Sequence, residues 1–202
     1  MVLGGCGGSA FSYYTSVTTP FAMLTLLHLA DVHFDTVYAG RTLDLRRRLR
    51  AAQRTAFERA VDRALDTSVD AVLIAGDLFD AERLGLATED TLLTQLRRLE
   101  AADIPVVYAT GNHDPGQARG RVAALPWPEN VQVVRSAEPQ TIPLTDDNQN
   151  RIGQVVAVGH PRAHVSENLA IRFPEADPDV PTVGLLHAHV TSAQSVEAHD
   201  RY

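Results

Sequence analysis

Lysine is absent from this chain: all 18 of its basic residues are arginine. That skew reads as a compositional bias of the genome rather than as chemistry, although a planar guanidinium is well shaped for bidentate phosphate contacts. Cysteine is almost absent too. With Cys6 alone, no intrachain disulfide can form, and a reducing compartment, the cytoplasm, is expected. No apolar run approaches the roughly 20 residues of a membrane-spanning helix, so no membrane association is expected. Basic residues are outnumbered by 25 acidic ones, for a net charge of -7. A chain of that balance lacks the broad basic footprint of many nucleic-acid binders. Bound divalent cations would add positive charge that such a count omits.

What is present is ordinary globular material. The chain has 202 residues, 45% of them apolar and 21% charged, enough for one large domain that buries about 70% of its unfolded surface without staples. The first 22 residues stand apart. Gly4, Gly5, Gly7 and Gly8 surround Cys6, and Ser and Thr follow. There is no basic n-region and no long apolar stretch, so this is not a signal peptide. Residues 1–22 are expected to be a disordered or spurious extension, Met23 the natural start, and 23–202 the domain.

From Met23 onward strand-like and helix-like segments alternate. Leu24 to Ala30, Asp70 to Ala75 and Pro105 to Thr110 are short apolar runs, the last two closed by Gly76 and Gly111. Between them, residues 43–67 and 88–102 carry apolar positions at helical spacing. The β-α-β-α-β order predicts a parallel sheet with helical crossovers. Eight arginines between Arg41 and Arg63 are read as the solvated face of the first helix. Further on, Val131 to Val134, Thr141 to Leu144, Val155 to Val158 and Val183 to Leu186 are strand candidates. Asp146 to Asn150 forms a hairpin tip, and together these predict a second, mixed sheet. A short helix is expected over 165–172.

Three segments carry the chemistry: Asp31-Val32-His33, Gly76-Asp77 and Gly111-Asn112-His113-Asp114. Each follows an apolar run, at the carboxyl end of a predicted strand, where open parallel sheets bind ligands. Asp31 and His33 are two apart, so persisting strand geometry would turn both to one side. A carboxylate such as Asp77 has two oxygens and can bridge two cations. Asn112 offers a neutral oxygen acceptable to a hard ion. His113 points differently and is left for proton chemistry. His187, after the last strand, fits the same site. Each motif alone is common at strand-end turns; four in order are not.

The wording around these motifs resembles the calcineurin-like metallophosphoesterase family, over about Leu24 to Tyr202. The segments His28-Leu-Ala-Asp31-Val-His33-Phe-Asp35, Asp70-Ala-Val-Leu-Ile-Ala-Gly76-Asp77-Leu-Phe-Asp80 and Val106-Val-Tyr-Ala-Thr-Gly111-Asn112-His113-Asp114 are similar to its DNA repair exonuclease branch, typified by SbcD. The resemblance implies an α/β fold: a four-layer α-β-β-α sandwich with two mixed sheets. It implies that Asp31 and His33 bind one cation, Asp77 bridges two, and Asn112 and His187 bind the second. His113 is then catalytic and Asp114 holds its ring in orientation. Two divalent cations are implied, Mn²⁺ first, with Mg²⁺, Fe or Zn²⁺ compatible with the ligand set. Two such ions clamp a phosphate and activate a bound water. DNA as substrate, an SbcC-like ATPase subunit as partner, and a homodimer are implied as well.

The sequence also departs from the family pattern. A Gly-His-x-His segment is expected shortly after the His187 strand, and none precedes Tyr202. The domain is therefore expected to be C-terminally incomplete, with three protein ligands per ion. A small-substrate phosphodiesterase or phosphatase, or a truncated non-catalytic domain, stands as the alternative. His160 and His164 are read as surface or loop histidines, His28 as a satisfied core residue, and His199 as exposed.

Overall fold

The computed structural model describes residues 23–80 and 84–189. The expected N-terminal extension, His199 and the stretch that would carry a closing motif lie outside the described residues. Within them the order is β1 (Leu26–Leu29), α1 (Leu43–Asp66), β2 (Ala71–Ala75), α2 (Leu86–Glu100), β3 (Val106–Ala109), β4 (Val131–Val134), β5 (Gln140–Thr145), β6 (Arg151–Val158), a 3-10 turn (Leu169–Arg172) and β7 (Thr182–Leu186).

Two sheets result. The first has the order β1-β2-β3-β4, and all its pairs are parallel, as the β-α-β-α-β order predicts. The second has the order β5-β6-β7 and is mixed, with β5 antiparallel and β7 parallel to β6. The hairpin tip falls where expected: Asp146 Oδ1 accepts from the backbone N–H groups of Asn148 and Asn150. The 165–172 helix shrinks to a single 3-10 turn.

The period of two along β2 and β3 assigns each side chain to a layer. Val72, Ile74, Val106 and Tyr108 face the helices and join Phe57, Val61, Leu92, Leu96 and Leu99. Ala71, Leu73, Ala75, Val107 and Ala109 face the second sheet and meet Ile142, Leu144, Val155, Ala157 and Leu185. Burial on both faces explains why these strands read as unbroken apolar runs. A side chain such as Leu96, wholly buried, contributes about 2–3 kcal/mol through that burial. The layers are thus helix, sheet and sheet. On the outer side of the second sheet the described residues supply only the 3-10 turn region. No helix among the described residues is long and apolar enough to cross a membrane.

The crossover helices begin at specific caps. Thr42 caps α1, its hydroxyl accepting from Leu45 N–H at 3.3 Å. Gly85 begins α2 without a side chain of its own, and Asp35 substitutes: its carboxylate accepts from Gly85 N–H and from the Thr88 hydroxyl. The apolar stripe expected in the first half of α1 is displaced. Leu45 is exposed and Leu49 half-buried, and Arg46, Arg50, Gln53 and Arg54 share the inward positions with it, because the loop between β1 and α1 lies beneath this part of the helix. Gln53 donates to the Val32 and His33 carbonyls, and Arg50 to the Thr36 carbonyl. His28 is also not a core residue; it is exposed on β1, the edge strand.

Candidate metal centre

The carboxyl ends of β1, β2 and β3 lie side by side, and β7 of the second sheet ends against them. Beyond the strands the parallel pairing continues through single contacts. Asp31 N–H donates to Gly76 carbonyl at 3.3 Å, His33 N–H to Asp77 carbonyl at 2.9 Å and Phe34 N–H to Leu78 carbonyl at 2.9 Å. The side chains of Asp31 and His33 do not reach one site by extended geometry. Both residues are left-handed, with φ of 53° and 47°, as are Asp35, Tyr38 and Asp77. Each such backbone costs on the order of 1 kcal/mol or more for a residue with a Cβ. The strain is concentrated on the segment that presents the ligands.

Asp77 is the centre of the arrangement and is nearly fully buried. Its Oδ1 accepts from His113 N–H at 2.9 Å. Its Oδ2 lies 3.6 Å from His33 Nε2 and 3.5 Å from His187 Nε2, and His33 Nε2 is 3.9 Å from Asp31 Oδ1. Two groups of three ligand atoms form around it: His33, Asp77 and His113, and Asp31, Asp77 and His187, each within 4.8 Å of one another.

The donor set fits divalent cations. His187 Nδ1 lies 2.9 Å from the Ala75 carbonyl; that partner only accepts, so Nδ1 carries the proton and Nε2 a lone pair in the neutral ring. The lone pair faces Asn112 Oδ1 at 2.9 Å and Asp77 Oδ2 at 3.5 Å. Three acceptors thus converge on one space, which a cation satisfies. Ligands about 2.1 Å from a shared ion stand roughly 3.0 Å apart at a right angle and 3.4 Å at the tetrahedral angle. The observed separations bracket those values.

Two glycines make room for this packing. Gly76 has φ of +72°, and a Cβ there would lie 2.5 Å from His187 Cγ; at Gly111 it would lie 2.2 Å from Asp77 Oδ1.

The structure differs from expectation at Asp114. Its carboxylate does not hold the His113 ring. It is buried and serves the backbone: Oδ1 accepts from Gly111 N–H at 2.7 Å and Asp77 N–H at 3.1 Å, and Oδ2 from Phe79 N–H at 3.1 Å. A carboxylate one residue from His113, at a turn rich in unpaired N–H groups, is consumed by those donors. The ring instead meets Asp80, with His113 Nδ1 3.0 Å from Asp80 Oδ1. No role was expected for Asp80, three residues after Asp77; that spacing within one tight turn was the available signal.

His160, expected at the surface or in a loop, lies in the loop after β6 and is half-buried beside the centre. Its Nε2–H donates to the His187 carbonyl at 2.9 Å, and the two rings pack edge to face at 5.6 Å. Burial lowers its pKa, with the bond to His187 opposing; its Nδ1 is buried without a hydrogen-bond partner. His164, by contrast, is exposed as expected. Tyr108, beneath Asp114, is buried and its phenol is pushed well above the ordinary value, first by burial and then by the Asp114 charge.

The model of the calcineurin-like phosphoesterase family matches residues 24–196. The uncharacterized metallophosphoesterase YhaO of Bacillus subtilis is 29% identical over 182 residues, covering 89% of this chain and 43% of that protein. The DNA double-strand break repair protein Mre11 of Aeropyrum pernix is 41% identical over 100 residues, 48% of this chain and 22% of that protein. Its namesake in Methanopyrus kandleri is 30% identical over 112 residues, 55% of this chain and 24% of that protein. The chain spans less than half the length of each of these relatives.

Proposed function

The chain belongs to the calcineurin-like phosphoesterase family, and on that premise we propose that it is a metal-dependent phosphodiester hydrolase acting on DNA. In this reading it is the exonuclease component of an SbcD-like repair system in the cytoplasm, working with an SbcC-like ATPase subunit as a homodimer. The observation that carries the hydrolase is the buried Asp77 carboxylate, common to two groups of three side chains whose spacing could hold a metal ion. Similarity to two proteins of DNA double-strand break repair supports DNA as the substrate.

By the family resemblance Asp31, His33 and Asp77 would hold one divalent cation, and Asp77, Asn112 and His187 a second, Mn²⁺ being the ion we assign; by distance alone His33 also groups with His113, and Asp31 with His187. Divalent cations there supply Lewis acidity and lower the pKa of bound water. The protein's own groups do the rest. Asp77 Oδ1, fixed by His113 N–H, keeps the bridging carboxylate from rotating. Asp114 ties the turn after β2 to the turn after β3, so the ligands on the two strands keep register. With one proton held on Nδ1 toward Asp80, the doubly protonated ring would give its Nε2 proton to the departing oxygen of a cleaved phosphodiester and keep the Nε2 lone pair. Its side chain is 39% exposed, so the ring stands where substrate arrives.

The test is hydrolysis of bis(p-nitrophenyl) phosphate and of a labelled DNA duplex with added Mn²⁺. Cleavage of both by the wild type, abolished by chelator and by Asp77→Asn, supports the proposal. Hydrolysis that survives Asp77→Asn refutes it, and cleavage of the small diester without the duplex moves the substrate class.

A further inference from the structure

The arginine-rich segment from Arg41 to Arg63 is not a uniform solvated face. Arg41, Arg47, Arg48, Arg59 and Arg63 are exposed, but Arg46, Arg50 and Arg54 are half-buried. Spaced by four, these three form one stripe. The stripe is the N-terminal continuation of the α1 face that further on buries Phe57, Val61 and Ala64. An inward helix face therefore begins as arginine and ends as core. A guanidinium withdrawn from water needs acceptors or an anion. Arg54 Nη1 finds the Thr88 hydroxyl at 3.4 Å. Arg46 and Arg50 instead line an open cleft of about 560 Å³, together with Asp35, Gly85 and Arg121.

The three cleft arginines are pinned through Nε. Arg46 donates to the Arg41 carbonyl at 2.9 Å, Arg50 to the Thr36 carbonyl at 3.0 Å, and Arg121 to the Glu89 carboxylate. An Nε bond fixes the guanidinium plane and leaves its paired Nη groups as a donor fork, the geometry that suits a phosphate. Asp35, the carboxylate in the lining, is already engaged by Gly85 N–H at 2.7 Å and the Thr88 hydroxyl at 2.9 Å.

The cleft and the metal centre share one loop. Asp35 follows His33 by two residues, so their Cα atoms are at most about 7 Å apart. Tyr38, half-buried in the same loop, responds to both sides: burial raises its pKa, Arg50 lowers it and Asp80 raises it. Asp80 is the partner of His113. A nucleic-acid strand repeats its phosphates about every 3.4 Å of helix axis, so a strand engaged at the metal centre carries further phosphates to this distance.

We propose that the cleft between α1, the β1–α1 loop and the start of α2 binds the phosphodiester backbone of a nucleic-acid strand beside the bond cut at the metal centre, with Arg46, Arg50 and Arg121 as its phosphate donors. This rests on the phosphodiester hydrolase reading of the centre and gives it a substrate track within an acidic chain.

Binding of a fluorescent single-stranded oligonucleotide to the full chain, across a salt series, tests it. Arg46→Gln, Arg50→Gln and Arg121→Gln each weaken binding about fivefold and reduce the slope of log K against log salt by about 0.7. Arg121 stands outside the ligand loop, so its variant separates lost phosphate contact from a disturbed loop. Arg97→Gln removes the same charge about 16 Å along α2 from the cleft and is the control. Cleft variants that bind like wild type, or weaken no more than the control, overturn the proposal. So does a wild type that does not bind, or displacement of the strand by an equal concentration of inorganic phosphate. Loss of binding in the cleft variants, alongside a wild type inert toward the small diester, leaves the cleft standing and removes the hydrolase reading instead.

Discussion

His113 Nδ1 and Asp80 Oδ1 lie 3.0 Å apart, so the imidazole at the candidate metal centre is oriented by the residue three positions after Asp77. A carboxylate on Nδ1 fixes the tautomer and leaves Nε2 as the working atom. His113→Ala is expected to lower phosphodiester turnover by about 10²–10⁴-fold with Mn²⁺ content intact. Asp80→Asn is expected to fall between that variant and wild type. Steady-state rates at matched metal content check both. An Asp80→Asn rate equal to wild type removes Asp80 from the mechanism.

Asp114 has a different task. Its two oxygens accept three backbone N–H groups in a buried position. Replacing one oxygen with an NH2 group sets donor against donor. Asp114→Asn should therefore cost about 2–4 kcal/mol of stability, the scale of charged hydrogen bonds lost in the interior. Urea unfolding measures this. A stability within 0.5 kcal/mol or so of wild type contradicts the anchoring role.

Tyr108 supplies a pH signature. Its phenol pKa is raised in the folded state, chiefly by burial. Below an unfolded pKa of about 10 both states hold the proton and stability is unaffected. Above it the unfolded chain releases a proton that the folded chain keeps, so stability falls as pH rises, by up to about 1.4 kcal/mol per unit. Tyr108→Phe removes that component of the alkaline loss. Denaturant unfolding at neutral pH and near pH 10.5 compares the two. A Tyr108→Phe chain with an unchanged alkaline slope contradicts it.

Much of this architecture is legible in the residues because burial on both faces writes β2 and β3 as continuous apolar runs, and their ends are marked by Gly76 and Gly111. The positions of Asp77 and Asn112 follow from those ends. What is not legible is long-range or irregular. The left-handed backbone at Asp31 and His33 replaces the strand geometry that their spacing suggests. The family resemblance makes Asp114 the partner of His113, and nothing local reveals that backbone N–H groups of its own turn and of the turn after β2 claim that carboxylate first. His160 reads as a loop residue, since its contact with His187 spans 27 positions. The first half of α1 reads as an apolar stripe because its leucines share a face, whereas the loop beneath that helix offers carbonyls that select Arg46, Arg50 and Gln53.

The central claim is that one buried carboxylate serves two ions. Calorimetric titration of the metal-free chain with Mn²⁺ tests it most directly. Two ions per wild-type chain are predicted, with His187→Ala losing one and Asp77→Asn losing both. An Asp77→Asn chain that still takes up two ions, or a wild type that takes up none, contradicts the account.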